Sequence, residues 1–133
     1  MNRGKVYFVD GTPVELGQVD PKTQHIMRSA DVVLYDASAS PVLFSLIRPS
    51  AAEHNVGVVD GISGMTQEEI CARMITYTTE GLTVVRLKGD HPSNRRRTKR
   101  ETYALRACGI EFEVLADSPA GARMHSHSVE VAA

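Results

Sequence analysis

Short apolar runs alternate along the chain with segments of helical periodicity. Val6–Val9 and Val32–Tyr35 are continuous apolar runs that end at an aspartate, which is typical of buried strands. Asp20 and Ser40 each precede a proline, and a capping residue before proline favours the start of a helix. The pattern predicts strands over residues 6–9, 32–35, 54–59, 83–87 and 112–115, and helices over residues 21–28, 41–47, 67–80 and 99–108.

This regular alternation of strands and helices predicts an α/β fold. Right-handed crossovers between such elements produce a parallel sheet that helices cover on both faces. The continuous apolar strands agree, because parallel strands are buried on both sides. We therefore predict a single three-layer α/β domain with a five-stranded, mainly parallel sheet. Ligands of such sheets bind beyond the carboxyl ends of the strands, so we expect a site in the loops that follow them.

Length and composition agree with one globular domain. The chain has 133 residues, of which 42% are hydrophobic and 23% charged. No stretch approaches the roughly 18 apolar residues that a membrane helix needs, and no signal-peptide pattern is present, so a cytoplasmic location without membrane partners is expected. Cys71 and Cys108 are too few for a disulfide framework or a cysteine metal site, and we expect both to be small buried helical residues.

One basic run stands out from an otherwise balanced charge pattern. The formal net charge is −1, yet residues 95–100 contain five cations in six positions. Such a run contacts water, an anion or a partner, and three interpretations stay open: a solvated loop, carboxylate binding, and phosphate or nucleic-acid binding. The net charge and the lack of aromatic residues within the run argue against nucleic acid.

The spacing of the other polar residues identifies no catalytic residue. His91 follows the fourth predicted strand without a recognisable partner base or nucleophile. His125 and His127 are two residues apart, but no third ligand is evident, so no metal site is predicted. Asp36 ends the second strand, where an aspartate serves as a turn or cap residue or as part of a site. No nucleophile elbow, phosphate-binding loop or dinucleotide fingerprint occurs.

Six segments of the chain follow the pattern of one protein family: Gly4–Val9, Ala30–Asp36, Ser40–Pro41, Met65–Ile70, Val84–Gly89 and Gly109–Val114. These segments resemble the tetrapyrrole methylases, in particular the first domain of those that methylate uroporphyrinogen III. They follow one another in register from about Gly4 to Leu115 with almost no gaps. Their agreement in order, spacing and residues indicates the fold of that family.

The resemblance implies an enzyme of two α/β domains, of which this chain matches the first. Family members bind S-adenosylmethionine in the cleft between the domains, place the tetrapyrrole alongside, and dimerise. We therefore expect a methylase-like domain over residues 1–117, a C-terminal extension over residues 118–133, and no second domain. The implied activity is methyl transfer from S-adenosylmethionine to an anionic tetrapyrrole, and the implied assembly is a homo-oligomer.

The implied site residues lie in loops that differ from the family pattern. In the family, the loop after the first strand reads G-x-G-P-G-D, and this chain keeps only its proline, Pro13. The family's loop after the fourth strand reads G-G-D-P-x-x-F-G-R-G-G-E-E, and residues 89–101 match it in part. By resemblance, the residues expected to bind the cofactor are Pro13, Gly89, Asp90, His91 and Pro92, and those expected to bind substrate are Arg97 and Glu101.

Two functions follow from this comparison. The first is a uroporphyrin-III C-methyltransferase-like protein that is incomplete or inactive as an isolated domain. The second is a non-catalytic module that recognises an anionic ligand or a partner chain through the loop expected at residues 95–100.

Overall fold

Five parallel strands form one sheet at the centre of the computed structural model, which describes residues 4–12, 15–36, 38–57, 65–89 and 94–115. All four neighbouring pairs are parallel, and the strand order is β3-β2-β4-β1-β5. This confirms the predicted α/β class and the five-stranded sheet. The strands are β1 (Lys5–Asp10), β2 (Val32–Tyr35), β3 (Ala52–Asn55), β4 (Thr83–Lys88) and β5 (Glu111–Leu115).

Capping residues start three of the helices at the predicted places. The Asp20 carboxylate accepts a hydrogen bond from the Thr23 amide at 2.8 Å, and Thr66 forms a reciprocal capping box with Glu69. Ser40 caps its helix by accepting from the Val42 amide. The helices are α1 (Pro21–Ser29), α2 (Pro41–Phe44), α3 (Gln67–Thr79) and α4 (Asn94–Ala107), and a short 3₁₀ turn spans Leu16–Gln18.

A hydrophobic core lies on each face of the sheet. On one face, the strands pack against Ile70 and Met74 of α3 and Leu105 of α4. On the other face, they pack against Met27 of α1 and Leu43 of α2. The fold therefore has the three layers expected of a parallel sheet that is buried on both sides.

The neighbouring strands β1 and β4 send the chain to opposite faces of the sheet. The segment after β1 leads to α1 on one face, whereas the segment after β4 leads to α4 on the other. Two loops that diverge in this way leave a crevice between them, and ligands of α/β sheets bind at such a switch point.

The structure corrects the boundaries of three elements. Strand β3 covers Ala52–Asn55, earlier than the predicted residues 54–59, because this edge strand is mostly exposed and lacks an apolar run. Helix α2 ends at Phe44 and not at Ile47. Helix α4 begins at Asn94, so the basic run is helical and the expected loop at residues 95–100 is wrong. Arginine and lysine are good helix formers, but they carry no apolar periodicity that would reveal a helix.

Three further expectations concern side chains and segments outside the sheet. Cys71 is only half-buried on α3 and Cys108 is exposed after α4, so the expected burial of both is wrong. Within the described ranges, none of the helices is both long and apolar enough to cross a membrane. His125 and His127 lie outside the described residues, as does the proposed extension over residues 118–133.

Candidate functional site

A buried arginine stands at the centre of the carboxyl edge of the sheet. Arg86 lies on the central strand β4 and its side chain is fully buried. Its Nε donates to Glu101 Oε1 at 3.2 Å, and its Nη1 donates to Asp36 Oδ1 at 3.0 Å. Because a buried charge is tolerated only when it is paired and hydrogen-bonded, both acids are needed to hold Arg86 in the core.

Glu101 joins helix α4 to the neighbouring elements. Its carboxylate, also fully buried, accepts from Lys88 Nζ at 2.9 Å and from Gln67 Nε2 at 2.7 Å, in addition to Arg86. One side chain therefore connects the second turn of α4 with β4 and with the first turn of α3. These contacts fix α4 against the carboxyl edge of the sheet.

Asp36 joins the segments that follow two neighbouring strands. Its Oδ2 accepts from the Gly89 amide at 2.7 Å, while its Oδ1 accepts from Arg86 and lies 3.8 Å from Arg97 Nη2. The end of β2 is thereby bound to the end of β4. Arg97 adds a contact from α4, so the acid is surrounded by cationic and amide donors.

The charges of this cluster shift the pKa values of its members. Burial raises the pKa of Asp36, but Arg86 and the Gly89 amide together lower it by more than burial raises it. The pKa of Asp36 therefore lies below the ordinary value. Burial likewise opposes the charged form of Glu101, yet Arg86 and Lys88 bring its pKa below the ordinary value. Burial and the Arg86 charge lower the pKa of Lys88 to about 8, although Glu101 acts in the opposite direction.

An open pocket of about 500 Å³ adjoins this cluster at the switch point. Its apolar part is formed by Phe8, Val9, Val114 and Leu115 at the ends of β1 and β5. Its polar part is formed by Asp10, Thr12, Lys88, Gly89, Arg95, Thr98 and Lys99. The volume lies within the range of small-molecule sites, and a mixed apolar and polar lining is typical of them.

The predicted cofactor residues are only partly within the described chain. Gly89 lines the pocket, and a Cβ built at this position would lie 2.1 Å from Ser38 Oγ, so the packing leaves no space for a side chain. Pro13, Asp90, His91 and Pro92 lie outside the described residues. Their assignment to the cofactor stays a prediction.

The two predicted substrate residues have different surroundings. Arg97 is partly exposed on α4 and faces Asp36, so it combines a solvent-accessible side chain with a contact to the buried cluster. Glu101 is completely buried, which leaves its carboxylate no surface for a large ligand in this structure. Its role in substrate binding stays a prediction, whereas its observed contacts position Lys88 and Arg86.

Sequence reasoning did not select Arg86 or Lys88. The signal was present, because β4 carries charged residues at alternate positions of an otherwise apolar central strand. Alternate positions point to one face of the sheet, so both side chains had to meet buried partners. The identity of those partners depends on tertiary packing, since Asp36 and Glu101 are distant in the sequence.

Comparison with known proteins assigns the family. The chain belongs to the tetrapyrrole (corrin/porphyrin) methylases, whose family model matches residues 5–119. It is 37% identical over 115 residues to uroporphyrinogen-III C-methyltransferase of Bacillus subtilis (strain 168), and 36% identical over 112 residues to siroheme synthase of Hahella chejuensis. These alignments cover 86% and 84% of this chain but 24% of each relative, so the chain spans about a quarter of their length.

Solved structures support the same assignment. The chain superimposes on uroporphyrin-III-C-methyltransferase from Thermus thermophilus with a TM-score of 0.69 and 35% identity, over 84% of this chain and 46% of that chain. A second structure of the T. thermophilus enzyme, complexed with S-adenosyl homocysteine, has a TM-score of 0.68 at 29% identity, over 86% of this chain and 48% of that chain. The predicted methylase-like fold is therefore confirmed.

Proposed function

We propose that this chain serves in the S-adenosylmethionine-dependent methylation of a tetrapyrrole related to uroporphyrinogen III. The observation that carries the proposal is the pocket between the ends of β1, β4 and β5 in a chain of this family. A methyltransferase depends mainly on positioning, because the sulfonium donor is already activated. The site must therefore hold two ligands in a fixed arrangement.

The described residues fit the cofactor in two respects. Phe8, Val9, Val114 and Leu115 offer an apolar surface of the kind that an adenine ring packs against. Gly89 brings backbone to the pocket without a side chain, and its amide is oriented by Asp36. S-adenosylmethionine, when bound, supplies the methyl group.

The buried cluster performs a positioning task in this proposal. Asp36 and Glu101 hold the ends of β2 and β4 and the start of α4 in one arrangement, and thereby fix Gly89 and Lys88 at the pocket. We assign residues 1–117 to the methylase domain, and we assign Arg97 to the tetrapyrrole because it is partly exposed and basic. The homo-oligomer and the cytoplasmic location stay predictions.

Titration calorimetry with S-adenosylmethionine and S-adenosylhomocysteine tests the cofactor assignment. We expect binding of both with dissociation constants on the order of micromolar, as for enzyme cofactors and substrates in general. The absence of heat at millimolar ligand would remove the proposal. A transfer assay with uroporphyrinogen III then tests turnover separately from binding.

Two matched tryptophan variants locate the binding site. Thr98 lines the pocket, and Thr102 lies one turn further along α4 with a similar half-buried side chain outside the pocket lining. An indole at position 98 occupies pocket volume, so Thr98→Trp should weaken cofactor binding by about tenfold or more. Thr102→Trp should leave it within a factor of about two. Equal effects of the two variants would place the cofactor elsewhere.

A further inference from the structure

The solvent side of α4 carries exposed cations around one exposed tyrosine. The side chain of Tyr103 is 72% exposed, which is unusual for a large aromatic residue. Arg96, Arg100 and Arg106, on the same helix, are exposed as well. We call these four residues the outer face of α4. None of them lines the pocket at the ends of β1, β4 and β5.

Helical spacing brings these four side chains together. Arg100 precedes Tyr103 by three residues and Arg106 follows it by three, so both are neighbours of the tyrosine on the helix surface. Arg96 lies four residues before Arg100, and the stretch from Arg96 to Tyr103 is about 10 Å long. The opposite side of α4 carries Glu101, which is completely buried. The aromatic ring therefore lies among guanidinium groups on the side that faces solvent.

The two arginines that begin this face have no acidic partner among the described residues. No ion pair joins Arg96 or Arg100 to a carboxylate within that part of the chain. The sequence of α4 contains one acid, Glu101, whose carboxylate is engaged in the core by Arg86 and Lys88. A polyanion that approaches the outer face therefore meets cations that the described carboxylates do not offset.

The helical conformation changes what the basic run implies. Residues 95–100 contain no aromatic residue, which argues against nucleic acid if the run forms a loop. In the helix, Tyr103 comes less than one turn after Arg100 and joins the same surface. The net charge of −1 does not oppose local binding, because exposed charges more than about 8–10 Å apart are largely screened at physiological salt.

Single-stranded nucleic acid fits this combination better than other polyanions do. Guanidinium groups pair with phosphates, and an exposed aromatic ring stacks on a base of any sequence. A run of carboxylates in an acidic protein would pair with the arginines but would leave Tyr103 without a stacking partner. An anionic membrane requires an exposed apolar helix face, whereas the apolar side of α4 is packed in the core through Leu105.

Two of these cations depart from the family pattern. That pattern has glycine at the position of Arg96 and glutamate at the position of Arg100. The second difference reverses the charge of an exposed position. The basic outer face is thus a feature of this chain that the resemblance does not explain.

We propose that the outer face of α4 binds single-stranded nucleic acid, with Arg96 and Arg100 on the phosphates and Tyr103 stacked on a base. This inference does not rest on the proposed methylation, because its residues lie outside the pocket. A failure to bind S-adenosylmethionine leaves it standing, and a failure to bind nucleic acid leaves the proposed methylation standing.

Fluorescence anisotropy of the full chain with labelled oligonucleotides tests the proposal. The probes are strands of thymidine and of uridine nucleotides, about 12 long, and a labelled poly-glutamate peptide of the same length. We expect both strands to bind with dissociation constants of about 1–100 µM at low salt, and more tightly than the peptide. Peptide binding that is equal or tighter would overturn the nucleic-acid assignment. An anisotropy that stays constant up to about 500 µM protein would overturn it as well.

Two substitutions of the tyrosine test the stacking. Tyr103→Phe keeps an aromatic ring, so the affinity for the oligonucleotides should stay within about twofold of the wild type. Tyr103→Leu removes the ring but keeps a large apolar side chain, and it should weaken binding by about fivefold or more. Equal affinities of these two variants would contradict the stacking role and with it the proposal.

Two charge-matched double variants test the arginines. Arg96→Ala/Arg100→Ala removes two cations of the outer face, whereas Arg28→Ala/Arg73→Ala removes two exposed cations from α1 and α3. The logarithm of the binding constant falls with the logarithm of the salt concentration, with a slope of about −0.7 for each phosphate neutralised on a single strand. The first variant should therefore make the slope shallower by about 1.4, and the control should change it by less than about 0.5. Equal changes would show a diffuse attraction without a site and would overturn the proposal.

Circular dichroism checks that these variants are folded. All four arginines are exposed, so both double variants should keep the wild-type spectrum. Should Arg96→Ala/Arg100→Ala fail to fold, the single changes Arg96→Gln and Arg100→Gln provide the same test, each with a slope change of about 0.7.

Discussion

The guanidinium of Arg86 and the carboxylate of Glu101 meet in the interior at 3.2 Å, with neither side chain exposed to solvent. One belongs to the central strand and the other to α4, the helix that carries the basic run. The pair therefore decides where that helix lies relative to the pocket. Replacing one partner should reveal how much the pair contributes to the free energy of unfolding.

Replacement of Glu101 by glutamine should be strongly destabilising. It leaves Arg86 and Lys88 without their shared counter-charge, and breaking a buried pair in this way costs about 3–5 kcal/mol of unfolding free energy. Urea denaturation measures the loss. Glu111→Gln is the matched control, because its exposed carboxylate lies 3.9 Å from Lys5, and the change should cost less than about 1 kcal/mol. Similar losses in the two variants would contradict a structural role for the buried pair.

The burial of Lys88 predicts a rise of stability at alkaline pH. Its pKa is about 8 in the folded chain and 10.5 as the ordinary value, so between these pH values the unfolded state binds more protons. The unfolding free energy of the wild type, relative to Lys88→Met, should therefore increase with pH over this interval. The increase should be on the order of 3 kcal/mol at most. If the difference in unfolding free energy between the wild type and Lys88→Met stays constant from pH 8 to 10.5, burial does not lower the pKa of Lys88.

The lowered pKa of Asp36 predicts a dependence of the same sign in acid, where stability again rises with pH. The charged carboxylate is stabilised in the folded chain by Arg86 and the Gly89 amide, so its contribution is complete above the ordinary value of 3.8. It should disappear as the pH falls through the lower folded pKa. The advantage of the wild type over Asp36→Asn in urea denaturation should accordingly shrink below about pH 4. An advantage that persists unchanged to the lowest pH at which the protein folds would refute this assignment.

The packing around Gly89 predicts that the methyl group of an alanine at this position lowers the free energy of unfolding. Its Cβ would lie 2.1 Å from Ser38 Oγ and 3.0 Å from the Asp36 Cβ, so Gly89→Ala should destabilise by about 1–3 kcal/mol. The Ser38→Ala change should recover part of that loss in the double variant. Gly17 is the control position, since nothing lies within 4 Å of its Cβ and Gly17→Ala should be neutral within about 1 kcal/mol. Thermal denaturation of the four variants provides the comparison, and a neutral Gly89→Ala would show that the segment moves aside at little cost.

Local sequence signals predicted most of the fold because the buried elements carry them directly. Val32–Tyr35 is apolar throughout, and Asp20 and Thr66 cap helices through contacts within three residues. Strand β3 lacks such a signal because its side chains are mostly exposed and it has no apolar run. The start of α4 could not be predicted in this way, because its residues are mostly cations and show no apolar periodicity.

The site was less predictable because its contacts join distant parts of the sequence. Asp36 meets Arg86 across 50 positions, and Gln67 meets Glu101 across 34. Arg86 could have been chosen as a residue in need of partners, but its partners are defined only when β2, β4 and α4 pack together. The family resemblance supplied Gly89, Arg97 and Glu101, and the structure added the network around them.

The first two turns of α4 combine cations with the positive end of a helix, an arrangement that works against helix formation. Arg95 and Lys99, and likewise Arg96 and Arg100, are like charges at a spacing where repulsion costs a few tenths of a kcal/mol for each pair. The acidic anchor, Glu101, comes only after them. Amide hydrogens near residues 95–99 should therefore exchange with solvent faster than those near Leu105. The stability of its first turns therefore depends on the buried contacts of Glu101, which anchor the helix from its second turn.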